Sequence, residues 1–215
     1  MKITVENHQL KVKEILGAAN IIPVVAIKDA NDAADIAKSF LECGVNNIEV
    51  LMRNDQAIEA IKNIADNVDD IYVGAGTVLT SDQVEHVKQA GGQYVISPGF
   101  DIDLHEACLN HDIPYIPGTV TASEIQNCYK LGYRYLKFFP AEAMGGVETI
   151  KAIGSVFKDI KFCATGGIKA HNVREYLALN SIIAVGTSSL ITNDIQNNQK
   201  WHDINRLFVE FKQTP

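Results

Sequence analysis

The sequence predicts an α/β fold, a (β/α)8 TIM barrel with an extra N-terminal helix, as a single domain over residues 1–215. Three observations carry this. A short apolar run followed by an amphipathic stretch recurs eight times along the chain. Helix start and stop signals fall between the runs. No linker, low-complexity tract or composition shift divides the 215 residues. An open doubly wound sheet is the structural alternative, since alternating strands and helices fit it too.

The extra helix is expected at about residues 8–19, before the first strand. The strand candidates are residues 21–27, 47–52, 71–75, 94–97, 114–117, 135–139, 161–164 and 182–186. Helical patterns occupy residues 32–43, 55–65, 81–90 and 122–131. Thr121 and Glu124 have the spacing of a capping box. Asp32, Asp55 and Asp101 stand where N-caps or first turns belong. Gly44, Gly91 and Gly132 follow helices as stops. Residues 201–211 read as a closing amphipathic helix, with Trp201 and Phe208 as packing residues.

Bulk properties narrow the function. Apolar residues make up 47%, enough for a sizeable core. The net charge is −7 with no basic run, which argues against nucleic acid and anionic membrane partners. An anionic small-molecule substrate would therefore need local binding charges. The N-terminus has no apolar signal core, and no run approaches a membrane span, so a soluble, cytoplasmic protein is expected. Cys43, Cys108, Cys128 and Cys163 are scattered, and the six histidines are dispersed. Neither a disulfide framework nor a metal site is signalled.

A barrel carries its chemistry at the C-terminal ends of the strands, with phosphate held after strands seven and eight. The seventh run leads into Thr165-Gly166-Gly167-Ile168 and the eighth into Gly186-Thr187-Ser188-Ser189. Glycine turns let backbone N–H groups approach an anion, and a following helix adds a favourable dipole. Gly74-Ala75-Gly76-Thr77-Val78-Leu79 lacks the third glycine of a dinucleotide fingerprint. It reads instead as a strand end that turns Thr77 toward the barrel mouth.

Two strands contain charged intruders. Lys137 sits in Tyr135-Leu136-Lys137-Phe138-Phe139, closed by Pro140. A desolvated lysine loses preference for its charged form, and a neutral amine attacks ketones. The bland reading is a strand-end lysine that snorkels to solvent. On the second strand, Glu49 and Arg53 share parity, so both can face the interior while Val50 and Met52 face the helices. Leu51 is inward by the same parity. An interior glutamate needs a partner or a function, and a structural ion pair to Arg53 or Lys137 is the bland reading. Parity turns Lys137 inward and leaves Leu136 and Phe138 on the helix side. Together the residues suit carbon–carbon chemistry on a keto acid. Lys137 forms an iminium that acts as electron sink, Glu49 moves protons and Arg53 holds a carboxylate.

The chain resembles the bacterial KDPG/KHG class I aldolase family from residue 21 to residue 190. The most specific segments are Ile48-Glu49-Val50 with Arg53, Val73 to Val78, Ile96-Ser97-Pro98-Gly99, Lys137 to Glu142, and Thr165 to Ile168. The resemblance implies a barrel, a homotrimer, and a lyase that needs no cofactor or metal because the substrate is held as a Schiff base on Lys137. It implies Glu49 as acid/base through a water, and Arg53 and Thr77 on the pyruvyl carboxylate. Pro98 and Phe139 would shape the pocket, and Thr165 would stand near the substrate hydroxyls. Gly166, Gly167 and Ser188 would hold the phosphate. Family members cleave 2-keto-3-deoxy-6-phosphogluconate to pyruvate and glyceraldehyde 3-phosphate, in the Entner–Doudoroff pathway. Many accept 4-hydroxy-2-oxoglutarate, giving pyruvate and glyoxylate.

Two departures stand out. Leu51-Met52-Arg53-Asn54 replaces a more usual Thr-Leu-Arg-Thr, and Gly186-Thr187-Ser188-Ser189 replaces a Gly-Gly-Ser-Trp run. The alternatives are an aldolase for the 6-phosphogalactonate epimer, an isomerase using Glu49 as base, and a non-catalytic metabolite-binding module. Thr165 favours the gluconate epimer over the galactonate one.

Overall fold

The computed structural model describes residues 4–213. Residues 1–3, on which the N-terminal reading partly rests, lie outside the described residues. The chain begins with α1 (Val5–Ala18), β1 (Ile21–Val25), α2 (Ala33–Glu42), β2 (Asn47–Leu51), α3 (Ala57–Asn67), β3 (Tyr72–Gly76), α4 (Ser81–Gln89), β4 (Val95–Ile96) and α5 (Ile102–Asn110). It continues with β5 (Tyr115–Ile116), β6 (Gly118–Thr119), α6 (Ala122–Lys130), β7 (Tyr135–Phe138), α7 (Gly146–Val156), β8 (Lys161–Thr165), α8 (Val173–Leu177), β9 (Ile182–Thr187), α9 (Asn193–Asn197) and α10 (His202–Gln213). No helix among the described residues is long and apolar enough to cross a membrane.

The strands are parallel, in the order β5-β4-β3-β2-β1-β9-β8-β7-β6. The two outermost segments, β5 and β6, are consecutive in the chain, and only Pro117 separates them. The fifth predicted strand is thus two short segments. Proline has no N–H to donate, so regular pairing breaks there. Its carbonyl still accepts from the Lys137 N–H at 2.9 Å, and the barrel is nearly closed. The expected run of eight strands becomes nine segments for that reason alone.

Two layers of core follow from strand parity. Outside the strands, Ile48, Val50, Leu136, Phe138 and Phe162 pack against helical residues such as Ile36, Phe40 and Ile61. Inside, Ile22, Tyr94, Ile96, Ile116, Cys163 and Ala184 pack with Val12, Ile15 and Leu16 of α1. The added helix therefore floors the barrel at its N-terminal end. Two buried amides hold it there. Asn47 Nδ2 donates to the Ile15 carbonyl at 2.8 Å. Gln9 Oε1 accepts from the N–H groups of Arg134 and Tyr135 at 2.7 and 2.8 Å, which supplies partners at the start of β7.

Local signals were partly legible. Thr121 and Glu124 form the expected capping box, and Asp101 caps α5. Gly44, Gly91 and Gly132 follow their helices with positive φ. Asp32 makes no side-chain cap bond; Asp29 caps the short 3-10 turn before α2 instead. Gln56, not Asp55, occupies the N-cap position of α3. A second capping box, Thr80 with Gln83, opens α4.

Candidate active site

The charged intruders meet. Lys137 Nζ donates to Glu49 Oε1 at 3.1 Å, with the two residues 4% and 1% exposed. Lys137 enters from β7, with Gly118 and Cys163 as its register partners on the neighbouring strands. Glu49 enters from β2, flanked in register by Val24 and Gly74. A buried carboxylate and ammonium cost desolvation that mutual attraction offsets only when the geometry is good. Lys137 Nζ also lies 5.1 Å from the centre of the Phe139 ring. Glu49 Oε2 is buried and makes no hydrogen bond within the described residues.

The glycines of β3 make room for this pair. A Cβ on Gly76 would lie 2.0 Å from Glu49 Oε1, and one on Gly74 would lie 2.3 Å from the Tyr94 ring. Both glycines let a large side chain cross the barrel. Tyr94 donates to Asn47 Oδ1 at 2.6 Å and to the Ile48 carbonyl at 2.9 Å. Burial, with the nearby Glu49 charge, holds its phenol well above the ordinary range. Cys163, beneath the pair, has its thiol pushed up to about 12 by burial and secondarily by Glu49. It behaves as a small apolar residue there.

A cavity of about 370 Å³ opens toward the C-terminal ends of the strands; Leu51 and Phe139, two residues past Glu49 and Lys137, line it, while the buried pair itself does not. Leu51 at the end of β2, Arg53 just beyond it, Phe139 after β7 and the turns after β8 and β9 line it. Arg53, Phe139, Thr165, Gly166, Gly167 and Ser188 all line it. Leu51 is buried and faces it, as parity predicts. Thr77 joins through Arg53, whose Nε donates to Thr77 Oγ1 at 3.3 Å. Thr77 has a φ of 61°, a left-handed conformation that strains a β-branched residue. Pro98 stands after β4, and its carbonyl lies where a Cβ on Gly118 would fall, 2.1 Å away. It borders the site through the backbone and does not line the cavity. A larger groove of about 780 Å³ lies beside α1 and Leu131 to Tyr135, and no predicted site residue lines it.

The turns after β8 and β9, expected to hold phosphate, differ from expectation in one respect. Gly166 and Gly167 have φ of 101° and 85°, so the turn itself needs glycine. The helix behind it, α8, begins only at Val173 and has five residues; α9, behind the other turn, also has five. Short, displaced helices add little dipole, so the anticipated helix contribution is weak. Side chains tie the two turns together instead. Thr187 Oγ1 donates to the Ile168 carbonyl at 2.8 Å and accepts from the Ser189 N–H at 3.1 Å. The threonine in the departing Gly186-Thr187-Ser188-Ser189 run thus has a structural task. Ile168, Gly186, Thr187 and Ser189, from the two turns the sequence pointed to, also line the cavity, as do Val24 and Lys169, which sequence reading missed. Lys169 directly follows the first turn, which was its available signal; Val24 comes from β1 and had none.

The profile of one family, described as "Aldolase: KDPG and KHG aldolase", matches residues 12–207. The chain belongs to the KDPG and KHG aldolase family. It is similar to the 2-dehydro-3-deoxy-phosphogluconate aldolase of Pseudoalteromonas atlantica, 40% identical over 202 residues and 94% of each chain. Among solved structures, it resembles the 2-keto-3-deoxy-6-phosphogluconate aldolase of Zymomonas mobilis ZM4 with 3-phosphoglycerate. That match has a TM-score of 0.88 and 33% identity, covering 96% of this chain and 97% of the other. It is equally close in shape to the KDPG aldolase of Legionella pneumophila with pyruvate captured as a covalent carbinolamine. There the TM-score is 0.88 and the identity 38%, over 91% of this chain and 95% of the other.

Among the described residues, no group of three or more His, Cys, Asp or Glu side chains is placed to hold a metal ion.

Proposed function

We propose that the chain is a class I aldolase that cleaves 2-keto-3-deoxy-6-phosphogluconate to pyruvate and glyceraldehyde 3-phosphate. The observation that carries this is the buried contact of Lys137 Nζ with Glu49 Oε1 at 3.1 Å, beneath a cavity ringed by anion-accepting turns.

Lys137 Nζ adds to the C2 ketone, and the carbinolamine loses water to an iminium. The C4 hydroxyl gives up its proton and the C3–C4 bond breaks. Its electron pair flows into the iminium to leave an enamine, and the aldehyde departs. The enamine takes a proton at C3, and water releases pyruvate and the free lysine. Glu49 moves the protons through a water, using the oxygen that Lys137 does not occupy. Arg53 and Thr77 hold the C1 carboxylate, Phe139 and Pro98 bound the pyruvyl part, and Thr165 faces the hydroxyls. Gly166, Gly167 and Ser188 receive the phosphate. The Schiff base on Lys137 is the electron sink, so the reaction as written calls on no cofactor.

4-Hydroxy-2-oxoglutarate is the second substrate, since it offers the same carboxylate, ketone and C4 hydroxyl to the same groups. The enzyme acts in the cytoplasm, in the Entner–Doudoroff pathway, as a homotrimer. Leu79 and Ile102, 59% and 50% exposed, support the assembly. Ser81 Oγ donates to the Asp103 carbonyl at 3.4 Å, which joins the start of α4, just after Leu79, to the start of α5, where Ile102 stands.

The test is trapping. Incubation with pyruvate and then borohydride should leave a reduced adduct on Lys137, found by peptide mass spectrometry. Absence of an adduct in folded, pyruvate-binding protein would remove the Schiff-base mechanism and favour an isomerase with Glu49 as base.

A further inference from the structure

Two cations line the cavity above Lys137, Arg53 and Lys169, and no carboxylate joins them. They stand with different walls. Arg53 is bonded to Thr77 on the β2–β3 side. Lys169 follows the Gly166–Gly167 turn on the β8–β9 side, with Ser188 and Ser189.

The backbone that carries Lys169 is fixed. Its N–H donates to Asn172 Oδ1 at 2.8 Å, and Asn172 Nδ2 donates back to the Gly167 carbonyl at 3.1 Å. Asn172 is itself buried. The preceding carbonyl, of Ile168, accepts from Thr187 Oγ1 at 2.8 Å and Ser189 Oγ at 3.4 Å. Four hydrogen bonds thus fix the backbone beneath one exposed lysine. Lys169 also borders a neighbouring groove that His171 and Glu210 line.

Charge balance explains the need. A phosphate monoester carries about −1.5 to −2 at neutral pH. The chain carries −7, so its overall field repels such a ligand. The helices behind both phosphate turns are only five residues long. Turn N–H groups and serine hydroxyls orient a phosphate, but they do not neutralise it. A fixed-backbone ammonium beside them does.

We propose that Lys169 is the cation that recognises the substrate phosphate and so sets the preference for phosphorylated over unphosphorylated keto acids. This rests on the aldolase reading above.

The experiment compares wild type, Lys169→Ala and Lys169→Arg on 2-keto-3-deoxy-6-phosphogluconate and on 4-hydroxy-2-oxoglutarate. For Lys169→Ala, KM for the phosphorylated substrate should rise about tenfold, the size of one charge-assisted hydrogen bond at a partly wet site. Its kcat should stay within about twofold, and KM for 4-hydroxy-2-oxoglutarate should move by less than about twofold. Lys169→Arg should recover most of the loss. An unchanged KM for the phosphorylated substrate, or an equal rise for both substrates, would overturn the proposal. Binding of inorganic phosphate, followed by calorimetry on the same proteins, separates it from the aldolase reading. Weaker phosphate binding by Lys169→Ala supports the proposal even if wild type cleaves neither substrate. Equal binding overturns it even if wild type cleaves both.

Discussion

At the N-terminal end of the barrel, Val12, Ile15 and Leu16 of α1 press against Ile22, Tyr94 and Ala184, and the interior is filled with apolar groups. At the C-terminal end, strands of the same sheet turn Glu49, Lys137 and Thr165 inward, beneath an open cavity of about 370 Å³. The backbone is alike at both ends, so the difference lies in what the inward positions carry. The floor excludes water from below, and the lysine–glutamate pair lies buried between that floor and the layer of Leu51 and Phe139 that lines the cavity. Stability and chemistry are thus separated along the barrel axis, as the fold generally allows.

The sharpest way to break the comparison is to remove chemistry from the open end. Lys137→Ala should lower kcat by about a thousandfold or more, because the covalent route is lost. Circular dichroism should remain that of the wild type. Retained turnover would show that the open end does not use this lysine. Glu49→Gln keeps the shape and removes the acid/base, so kcat should fall by about 10²- to 10⁴-fold. Borohydride trapping of pyruvate on Lys137 should persist in that variant, though more slowly; rapid trapping with normal turnover would deny Glu49 its role.

At the closed end the expected pattern reverses. Leu16→Ala should cost about 2–5 kcal/mol by leaving a cavity. Thermal unfolding would report this as a Tm lower by roughly 5–15 °C. The kcat at 25 °C should hold within about twofold. A large fall in kcat with unchanged Tm would mean that the two ends are not separable.

The smallest effect concerns the layer outside the barrel. Burial holds the His105 imidazole below its ordinary value of 6.5, while its ring nitrogen meets the Tyr133 hydroxyl at 2.8 Å. Glu106 opposes the shift and His8 adds to it. The unfolded chain then binds this proton more readily than the folded one. The resulting stability is present above pH 6.5 and is lost as pH falls from there through the folded value. His105→Gln should flatten the fall of Tm between about pH 7 and pH 5. The pH profile of kcat should not move; a shift there would tie this outer layer to the site.

Which residues face the barrel interior was legible in the sequence, because strand parity is a local rule. It turned Glu49, Leu51 and Lys137 inward and Val50, Leu136 and Phe138 outward, and the two cores agree. Turn chemistry was legible at Gly166–Gly167 and at the Thr121–Glu124 capping box. Three things were not. The split at Pro117 depends on which neighbours its segment pairs with. The roles of Gly74 and Gly76 depend on side chains arriving from other strands, Tyr94 and Glu49. The shortness of the helices behind the turns after β8 and β9 was hidden; residues 168–172, for example, form a bonded loop rather than a first helical turn.

The sequence by itself determined the alternation of strand and helix, the inward face of each strand and the reactive groups placed on it. Those follow from periodicity, capping and residue chemistry, which act over a few positions. Only the tertiary structure decided that Lys137 and Glu49, separated by 88 residues, meet at 3.1 Å. It alone decided that α1 floors the barrel and that Thr187 ties the turn after β9 to the turn after β8. Such contacts depend on the closure and register of the whole sheet, and no short stretch of chain contains that information.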